Sequence, residues 1–221
     1  MILGKEGVEK LTEARIIVFG AGGVGGYAIE ALARAGIGEI TVVDGDRVAV
    51  SNLNRQIIAT CDTLDKYKAS VACERILSIN PNIKAHPLTE FYSEENAESF
   101  YLSDYTYVLD CIDSVRQKLH LIESCVKLGV PIISAMGAGN KLDPTRFKIC
   151  DISKTHTDPL AKVIRTELRK RGIYHLDVVF SDEEPKTVGG VRVPGSLSFV
   201  PSVMGLIMAG EVIKKITECD E

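Results

Sequence analysis

The sequence Arg15-Ile-Ile-Val-Phe-Gly-Ala-Gly-Gly-Val-Gly25 decides the fold. Its first five residues form an apolar run of strand length, and the glycines after them fit the pattern GxGxxG. Ala28 to Ala35 continues as a helix that Gly36 closes. A glycine turn between a strand and a helix allows close backbone approach and points a helix N-terminus at an anionic group. We therefore predict a nucleotide-binding unit, in which the contacting residues are Gly20, Ala21, Gly22, Gly23 and Gly25.

Apolar strands and amphipathic helices continue to alternate along the chain. Predicted strands cover residues 40–43, 107–112, 131–135, 146–152 and 176–180, and predicted helices cover residues 64–79, 115–128, 158–171 and 197–216. Near-continuous apolar strands separated by helices indicate a parallel sheet covered on both faces. We predict an α/β fold, a Rossmann-like and mostly parallel sheet with helices on both faces, extended by a mixed C-terminal part. Residues 1–221 are predicted to form one domain, in which residues 181–195 form a mobile crossover loop.

Composition and charge exclude several classes of protein. Of the 221 residues, 45% are hydrophobic and 25% are charged, which excludes wholesale disorder. The net charge of −4 means that any contact with nucleic acid has to come from a local basic patch. No uninterrupted apolar run reaches the roughly 20 residues that span a bilayer, and no secretory signal opens the chain. Without such a signal, we expect the six cysteines to lie in a reducing cytoplasm. They include no CxxC pair, so we expect no structural zinc site.

Polar side chains after the second predicted strand indicate which nucleotide binds. Asp44 ends that strand, where a carboxylate can accept hydrogen bonds from ribose hydroxyls. Arg55 can stabilise charge that develops on phosphates, and Lys68 can supply a second cation. Asp113 follows a later strand, and its hard oxygens suit Mg²⁺. These residues favour ATP consumed at its phosphates over NAD used for hydride transfer, and the pocket is completed by Asp46, Asn52 and Gln56. An NAD-dependent oxidoreductase and a non-catalytic nucleotide sensor remain as alternatives.

Together these motifs resemble those of the ubiquitin-activating-enzyme-like adenylating superfamily, of which ThiF and MoeB are bacterial members. The resemblance rests on GxGGVG, on the D-x-D that begins at Asp44, on SNLNRQ at residues 51–56, on Tyr-Lys68-Ala and on Cys-Ile-Asp113. It covers nearly the whole chain. It implies that Asp44 binds the ribose and that Arg55 and Lys68 act on the triphosphate. It also implies that Asp113 serves Mg²⁺ and that the protein is a homodimer.

Two longer stretches, residues 134–147 and 158–172, resemble more narrowly the tRNA threonylcarbamoyladenosine dehydratases, the TcdA/CsdL group. This resemblance implies that ATP is used to dehydrate and cyclise the modified adenosine beside the anticodon of a tRNA. The carboxylate of the substrate would attack the α-phosphate, and its own tethered carbamoyl group would then displace AMP. The alternative within this chemistry is activation of the C-terminal glycine of a ubiquitin-like sulfur-carrier protein. The absence of zinc CxxC pairs and of a cysteine in residues 181–195 disfavours it.

The predicted helix 158–171 is the candidate for contact with RNA. Lys162, Arg165 and Arg169 are spaced by three and four residues, so they fall on one face. Such a face neutralises phosphates in a salt-sensitive way, although the helix dipole also favours basic residues late in a helix. The resemblance favours tRNA binding, and the candidate residues are Lys162, Arg165, Arg169, Lys170 and Arg171.

Further expectations concern the N-terminus and the binding partners. Members of the superfamily usually carry an N-terminal arginine that reaches into the site of a partner subunit. This sequence starts at Met1-Ile-Leu-Gly4 and is expected not to include that arginine. A monovalent cation near the Gly137–Asn140 loop, and partner proteins that transfer sulfur or electrons, are left open.

Overall fold

The structure is a computed structural model that describes residues 2–186 and 195–218. Its centre is a sheet of seven strands within those residues, in the order β3-β2-β1-β4-β5-β7-β6. The neighbouring strands are parallel except for β6, which runs antiparallel to β7. The strands are β1 (Arg15–Phe19), β2 (Glu39–Val43), β3 (Lys84–Leu88), β4 (Tyr107–Asp110), β5 (Ile132–Ala135), β6 (Phe147–Asp151) and β7 (Asp177–Ser181).

Helices cover both faces of this sheet, because alternate side chains of the strands point in opposite directions. From β1, Ile16 and Val18 enter one core, whereas Ile17 and Phe19 enter the other. The first core is closed by α1 (Gly4–Glu13), α2 (Gly25–Ala35), α3 (Lys68–Ile79) and α6 (Phe199–Thr217). The second is closed by α4 (Val115–Leu128) and α5 (Pro159–Lys170). The predicted α/β class, with a mostly parallel sheet and a mixed C-terminal part, is confirmed.

Several element boundaries differ from the predicted ones for local reasons. The helix predicted from residue 64 begins only at Lys68, because Asp65 has a left-handed φ of 62° that interrupts the helix. The helix after the glycine turn begins at Gly25, three residues earlier than predicted, and the strand predicted over 107–112 ends at Asp110. Most of the predicted crossover loop of residues 181–195 falls on residues 187–194, which lie outside the described residues.

Two elements were missed by the sequence pattern. Helix α1 is mostly polar and buries only Gly7 and Leu11. Strand β3 lies at the edge of the sheet and contains Pro87, which removes a backbone donor and is tolerated there because one side of the strand needs no partner. Of the helices in the described residues, none is both long enough and apolar enough to span a membrane.

Candidate active site at the carboxyl edge of the sheet

The sequence-predicted site residues converge where the strand order reverses. The chain leaves β1 for β2 on one side of the sheet and later returns to β4 on the other side. In open α/β sheets this switch point forms a crevice outside the carboxyl ends of the strands, where ligands bind. The glycine turn follows β1, Asp44 follows β2 and Asp113 follows β4. The topology therefore brings all three segments to one crevice.

The glycine turn is too tight for side chains at two of its positions. Gly20 has a φ of 93°, and a Cβ there would lie 2.8 Å from the carbonyl oxygen of Cys111. A Cβ on Gly25, the first residue of α2, would lie 1.8 Å from the carbonyl oxygen of Gly20. The Cβ position of Gly22 lies 3.7 Å from Gln56 Nε2, and that of Gly23 lies 3.2 Å from Pro201 Cγ and 3.5 Å from Arg55 Cγ. The turn is shaped for close approach of a ligand to its backbone.

Replacing Gly25 with alanine is expected to disrupt this turn and weaken ATP binding. The Cβ would overlap Gly20, so the turn has to shift, and overpacking of this kind costs about 1–3 kcal/mol of unfolding free energy. Gly210→Ala in α6 is the matched control, because a Cβ there meets nothing within 4 Å. Calorimetric titration with ATP and chemical denaturation of both variants check this. Equal ATP affinity for Gly25→Ala and the parent would contradict the assigned role of the turn.

Asp44 links the glycine turn to the loop after β2. Its Oδ2 accepts a hydrogen bond of 2.7 Å from the Ala21 N–H, and its Oδ1 accepts one of 2.9 Å from the Asp46 N–H. Burial raises the pKa of this carboxyl, and the two N–H groups only partly oppose the shift. Protonated Asp44 therefore stabilises the folded state. This stabilisation is fully present below the ordinary pKa of 3.8, and it is lost as the pH rises through the raised pKa of the folded state. Hydroxyl donors from a ribose would offset this cost of ionisation.

Lys68 is held beside Asp44 at the first residue of α3. Its ammonium lies 2.8 Å from Asp46 Oδ2, and its backbone N–H donates to the Asp46 carbonyl oxygen at 2.9 Å. The Lys68 side chain is only 7% exposed, whereas that of Asp46 is 54% exposed. Asp46 was predicted as a nucleotide contact, and in the structure its carboxylate holds the ammonium of Lys68. The ion pair positions a buried cation next to the predicted ribose carboxylate.

The loop that carries Arg55 and Gln56 is shaped by Asn52. The Asn52 side chain is buried, and its Oδ1 accepts the Ala49 N–H at 3.0 Å. The Asn52 carbonyl oxygen accepts the N–H groups of Arg55 and Gln56 at 3.1 and 3.0 Å. Asn52 was predicted to position ligand oxygens, and the structure shows it positioning this loop. Arg55 is half-buried, and its guanidinium donates to the Ser51 carbonyl oxygen at 2.8 Å. The Cγ of Arg55 lies 3.5 Å from the Cβ position of Gly23 in the glycine turn.

Gln56 supplies an observation that points to a ligand. Its side chain is 6% exposed, and its Oε1 is buried without a hydrogen-bond partner in the part of the chain that the structure describes. Buried polar atoms almost always have partners, so an orphaned one marks a place for a bound group or an ordered water. Since Gln56 Nε2 lies beside Gly22, this place adjoins the glycine turn. The crevice therefore fits a polar ligand against the turn.

Asp113 lies on the short connection between β4 and α4. It is exposed, and its side chain makes no hydrogen bond or ion pair with another described residue. The connection itself is anchored to the glycine turn, because Cys111 donates its N–H to the Phe19 carbonyl oxygen at 2.9 Å and packs under Gly20. The Asp113 carboxylate is thus free to take a ligand at the crevice, and its role in binding Mg²⁺ stays a prediction.

A buried polar cluster beneath this connection was not predicted from the sequence. The Lys118 ammonium lies 2.7 Å from Asp110 Oδ2 and donates to Ser134 Oγ at 3.1 Å and to the Ala135 carbonyl oxygen at 3.0 Å. Ser134 Oγ donates to the same Asp110 oxygen at 2.6 Å, and the side chains of the ion pair are 0% exposed. Asp110 Oδ1 accepts the Ile112 N–H at 3.1 Å. The cluster therefore fixes the segment that leads to Asp113. A lysine on the apolar face of a predicted helix was the available signal.

The basic residues in and just after helix α5 differ in whether their side chains pair with other residues. Lys162 and Arg169 are exposed and have no ion pair with another described residue. Arg165 donates to the Thr155 carbonyl oxygen at 2.8 Å, and Lys170 and Arg171 both pair with Glu167. Among the described residues, the predicted face of three cations therefore presents two that have no ion pair, Lys162 and Arg169.

The Gly137–Asn140 loop already contains a cation from the chain itself. The Lys141 ammonium lies 2.7 Å from the Gly137 carbonyl oxygen and 2.8 Å from Asp158 Oδ2, and its side chain is buried. Asp158 also caps α5 by accepting the Ala161 N–H at 2.9 Å. This buried ion pair joins the loop after β5 to the start of α5.

These features define an α/β domain with a crevice, near Arg55 and Lys68, that suits a nucleotide. Comparison with known proteins identifies the family to which the chain belongs. The ThiF family matches residues 1–221, and the chain belongs to this family. It is similar to the tRNA threonylcarbamoyladenosine dehydratase of Bacillus subtilis (strain 168), with 47% identity over 96% of this chain and 91% of that protein. The Escherichia coli (strain K12) protein of the same name is 35% identical over 97% of this chain and 90% of that protein.

A solved structure with a bound nucleotide has the same fold. The crystal structure of E. coli tRNA N6-threonylcarbamoyladenosine dehydratase, TcdA, in complex with ATP gives a TM-score of 0.92 at 37% identity. The match covers 99% of this chain and 91% of that chain. The resemblance to adenylating enzymes and to this group of dehydratases, predicted from the motifs, is confirmed.

Proposed function

We propose that this protein uses ATP to dehydrate and cyclise threonylcarbamoyladenosine in tRNA, releasing AMP and pyrophosphate. The observation that supports this most is the placement of Arg55 and Gln56 against the glycine turn, together with the buried ammonium of Lys68 that Asp46 holds beside Asp44. Cations at the phosphate end of the crevice suit chemistry at phosphorus, which a hydride-transferring enzyme does not need. The similarity to dehydratases over nearly the full length of both chains supports the choice of substrate.

The reaction has two steps that balance. The carboxylate of the threonylcarbamoyl group attacks the α-phosphorus of ATP, the bond to the bridging oxygen breaks, and pyrophosphate leaves. A nucleophilic atom of the substrate's own carbamoyl group then attacks the acyl carbon, gives its proton to solvent, and displaces AMP. Because this nucleophile is already tethered, ring closure needs no nucleophile from the enzyme.

Each residue of the crevice has a separate role in this proposal. Asp44 accepts the ribose hydroxyls, and the N-terminus of α2 with its glycine turn receives the phosphates. Arg55 and Lys68 stabilise the charge that develops in the transition state. Asp113 fits Mg²⁺ because it is an exposed carboxylate after β4 that has no ion pair with another described residue. When bound, Mg²⁺ would neutralise charge on the phosphates.

Three buried cysteines and the composition of residues 181–195 favour this route over a thioester or persulfide route. Burial raises the pKa of the Cys73, Cys111 and Cys125 thiols to about 12, so these thiols are poor nucleophiles. Residues 181–195 contain no cysteine. Both observations disfavour the transfer of sulfur from the enzyme to a carrier protein.

The assembly and surroundings are part of the proposal. We propose a homodimer, as the family resemblance implies, and a cytoplasmic location, which a tRNA substrate favours. Proteins that transfer sulfur or electrons are candidate partners. The ammonium of Lys141 supplies positive charge at the Gly137–Asn140 loop, so a monovalent cation would have to bind beside it.

Replacing both Lys162 and Arg169 with alanine is expected to weaken tRNA binding and its dependence on salt. If each cation contacts one phosphate, the slope of log affinity against log salt falls by about 2. The matched control is Lys5→Ala with Lys84→Ala, which removes two exposed lysines from other surfaces. Binding is measured by fluorescence anisotropy of labelled tRNA over a series of salt concentrations. An unchanged slope for the α5 variant would exclude this face as the tRNA contact.

The proposed function is tested by incubating the protein with ATP, Mg²⁺ and tRNA that contains threonylcarbamoyladenosine. We expect the nucleoside, after digestion of the tRNA, to have lost the mass of one water molecule. Parallel pyrophosphate-exchange assays contain the tRNA or a ubiquitin-like sulfur-carrier protein. Exchange that requires only the carrier protein would overturn the proposal in favour of carrier activation.

A further inference from the structure

An open cleft of about 580 Å³ lies at the carboxyl edge of the sheet, beyond the nucleotide crevice. Its walls are the segment after β7, the segment before α5 and the residue before β6. Because β6 runs antiparallel to β7, with Phe147 opposite Ser181, the start of β6 lies at the edge where β7 ends. In the strand order, β7 is three strands from β1, or about 14 Å at the usual strand spacing. A substrate held in this cleft can therefore reach toward the phosphates at the glycine turn.

One wall of the cleft presents the ring of His156 in a fixed orientation. The ring is exposed, and it packs edge-on against buried Phe180 with a centroid distance of 5.4 Å and an interplanar angle of 81°. His156 Nδ1 lies 3.0 Å from Thr157 Oγ1. Thr157 has a φ of 63°, in the left-handed region that branched side chains rarely adopt. Strain of this kind persists where the surroundings enforce it, often at binding sites.

The surroundings that enforce it are the buried ion pair of Asp158 and Lys141. Asp158 donates its N–H to the His156 carbonyl oxygen at 2.6 Å, and its carboxylate is held by the Lys141 ammonium and by backbone N–H groups of Gly137 and Ala161. The position of His156 is thus tied to the loop after β5. Because the ring is already held in place, it loses little conformational entropy when a flat ligand stacks on it.

The lining of the cleft carries two cations, Arg146 and Lys186, and three acids, so a place for an anion is local to Lys186. Lys186 is exposed, and its ammonium has no ion pair with another described residue. Asp182 is paired with Arg146 at 2.6 Å and also with Lys148, and the Glu183 carboxylate accepts the N–H groups of Leu142 and Asp143. Glu184 is exposed and adds a negative charge to the lining. Two of the three acids are therefore already satisfied within the chain.

We propose that this cleft binds the modified adenosine of a single-stranded RNA loop, with its base stacked on His156 and a neighbouring phosphate near Lys186. The inference rests on the proposed function and adds to it the place where the nucleoside substrate lies. Histidine is among the side chains on which unstacked RNA bases pack. The carboxylate of the modification then points along the sheet edge, from β7 toward the glycine turn.

The test compares His156→Ala with His156→Phe, which keeps a flat ring, and with His175→Ala as a control. His175 is exposed at the opposite end of β7. We expect His156→Ala to raise the KM for tRNA about tenfold, in line with the loss of one base stack. The phenylalanine variant should stay close to the parent, and ATP affinity should be unchanged in all three. A parental KM for His156→Ala, or an equal rise for His156→Phe, would overturn the stacking role.

Binding and conversion of a labelled anticodon stem-loop that carries threonylcarbamoyladenosine separate this inference from the proposed function. If the parent protein binds the stem-loop in a way that depends on His156 but does not convert it, the cleft assignment stands and the reaction is wrong. If the parent converts tRNA and His156→Ala binds the stem-loop normally, the reaction stands and the cleft assignment is wrong. If the parent neither binds nor converts it, both are wrong.

Discussion

Replacing Arg55 with alanine is expected to lower turnover about a thousandfold while leaving ATP affinity largely intact. Arg55 packs against the glycine turn through its Cγ, which lies 3.5 Å from the Cβ position of Gly23. We propose that its guanidinium meets the charge that develops on the phosphates as the substrate carboxylate attacks. An interaction made mainly in the transition state affects the rate and not ground-state binding. Removal of one such donor commonly costs about 10²–10³ in rate, and a cation that neutralises a phosphoryl group costs more. Turnover is measured as AMP release with tRNA, and affinity by calorimetry.

The control for Arg55→Ala is Arg55→Lys, which keeps the charge but loses the planar pair of donors. We expect an intermediate rate, because lysine acts as a point charge on phosphate. Circular dichroism checks that both variants fold, since the native guanidinium also donates to Ser51 and Asn54. Normal turnover of Arg55→Ala would show that Arg55 is not the transition-state cation.

Replacing Lys118 with methionine is expected to lower the free energy of unfolding by about 3–5 kcal/mol, which is the usual cost of leaving a buried charge without its partner. The ammonium is fully buried and bonds to Asp110, Ser134 and the Ala135 carbonyl oxygen. Methionine keeps the volume but leaves the Asp110 carboxylate without a counter-charge, with hydrogen bonds only from Ser134 Oγ and the Ile112 N–H among the described residues. Urea denaturation at neutral pH measures the change.

A double variant tests whether charge, and not shape, is the cause. Asp110→Asn combined with Lys118→Met removes both charges, while the asparagine oxygen can still accept the Ile112 N–H. We expect the double variant to recover most of the lost stability, because replacing a whole buried pair is often close to neutral. Losses that simply add in the double variant would contradict the ion-pair explanation.

The elements that could be predicted from the sequence have strong local signals. Strand β1 is an unbroken apolar run that ends in glycines, and α5 begins with an aspartate cap followed by proline. Helix α1 and strand β3 lack such signals, because α1 buries little and β3 is an edge strand with Pro87. Their formation depends on tertiary contacts with α6 and β2, which a local pattern does not contain.

The candidate site was partly predictable for the same reason. Residues that follow parallel strands have to meet at one edge, so Asp44, Arg55 and Asp113 could be grouped from the sequence alone. The hydrogen-bond partner of each side chain could not be predicted in this way. Asp46 holds Lys68, and Asn52 shapes its own loop. The cluster around Lys118 depends on α4 crossing the ends of β4 and β5, which is a three-dimensional relation without a sequence motif.

The central claim is that ATP is cleaved at its α-phosphate only when the modified nucleoside is present. A single-turnover reaction with ATP labelled at the α-phosphate, with and without tRNA that carries threonylcarbamoyladenosine, tests it directly. The account predicts labelled AMP in the presence of that tRNA and unchanged ATP in its absence. Labelled ADP, or AMP formed equally well with unmodified tRNA, would contradict it.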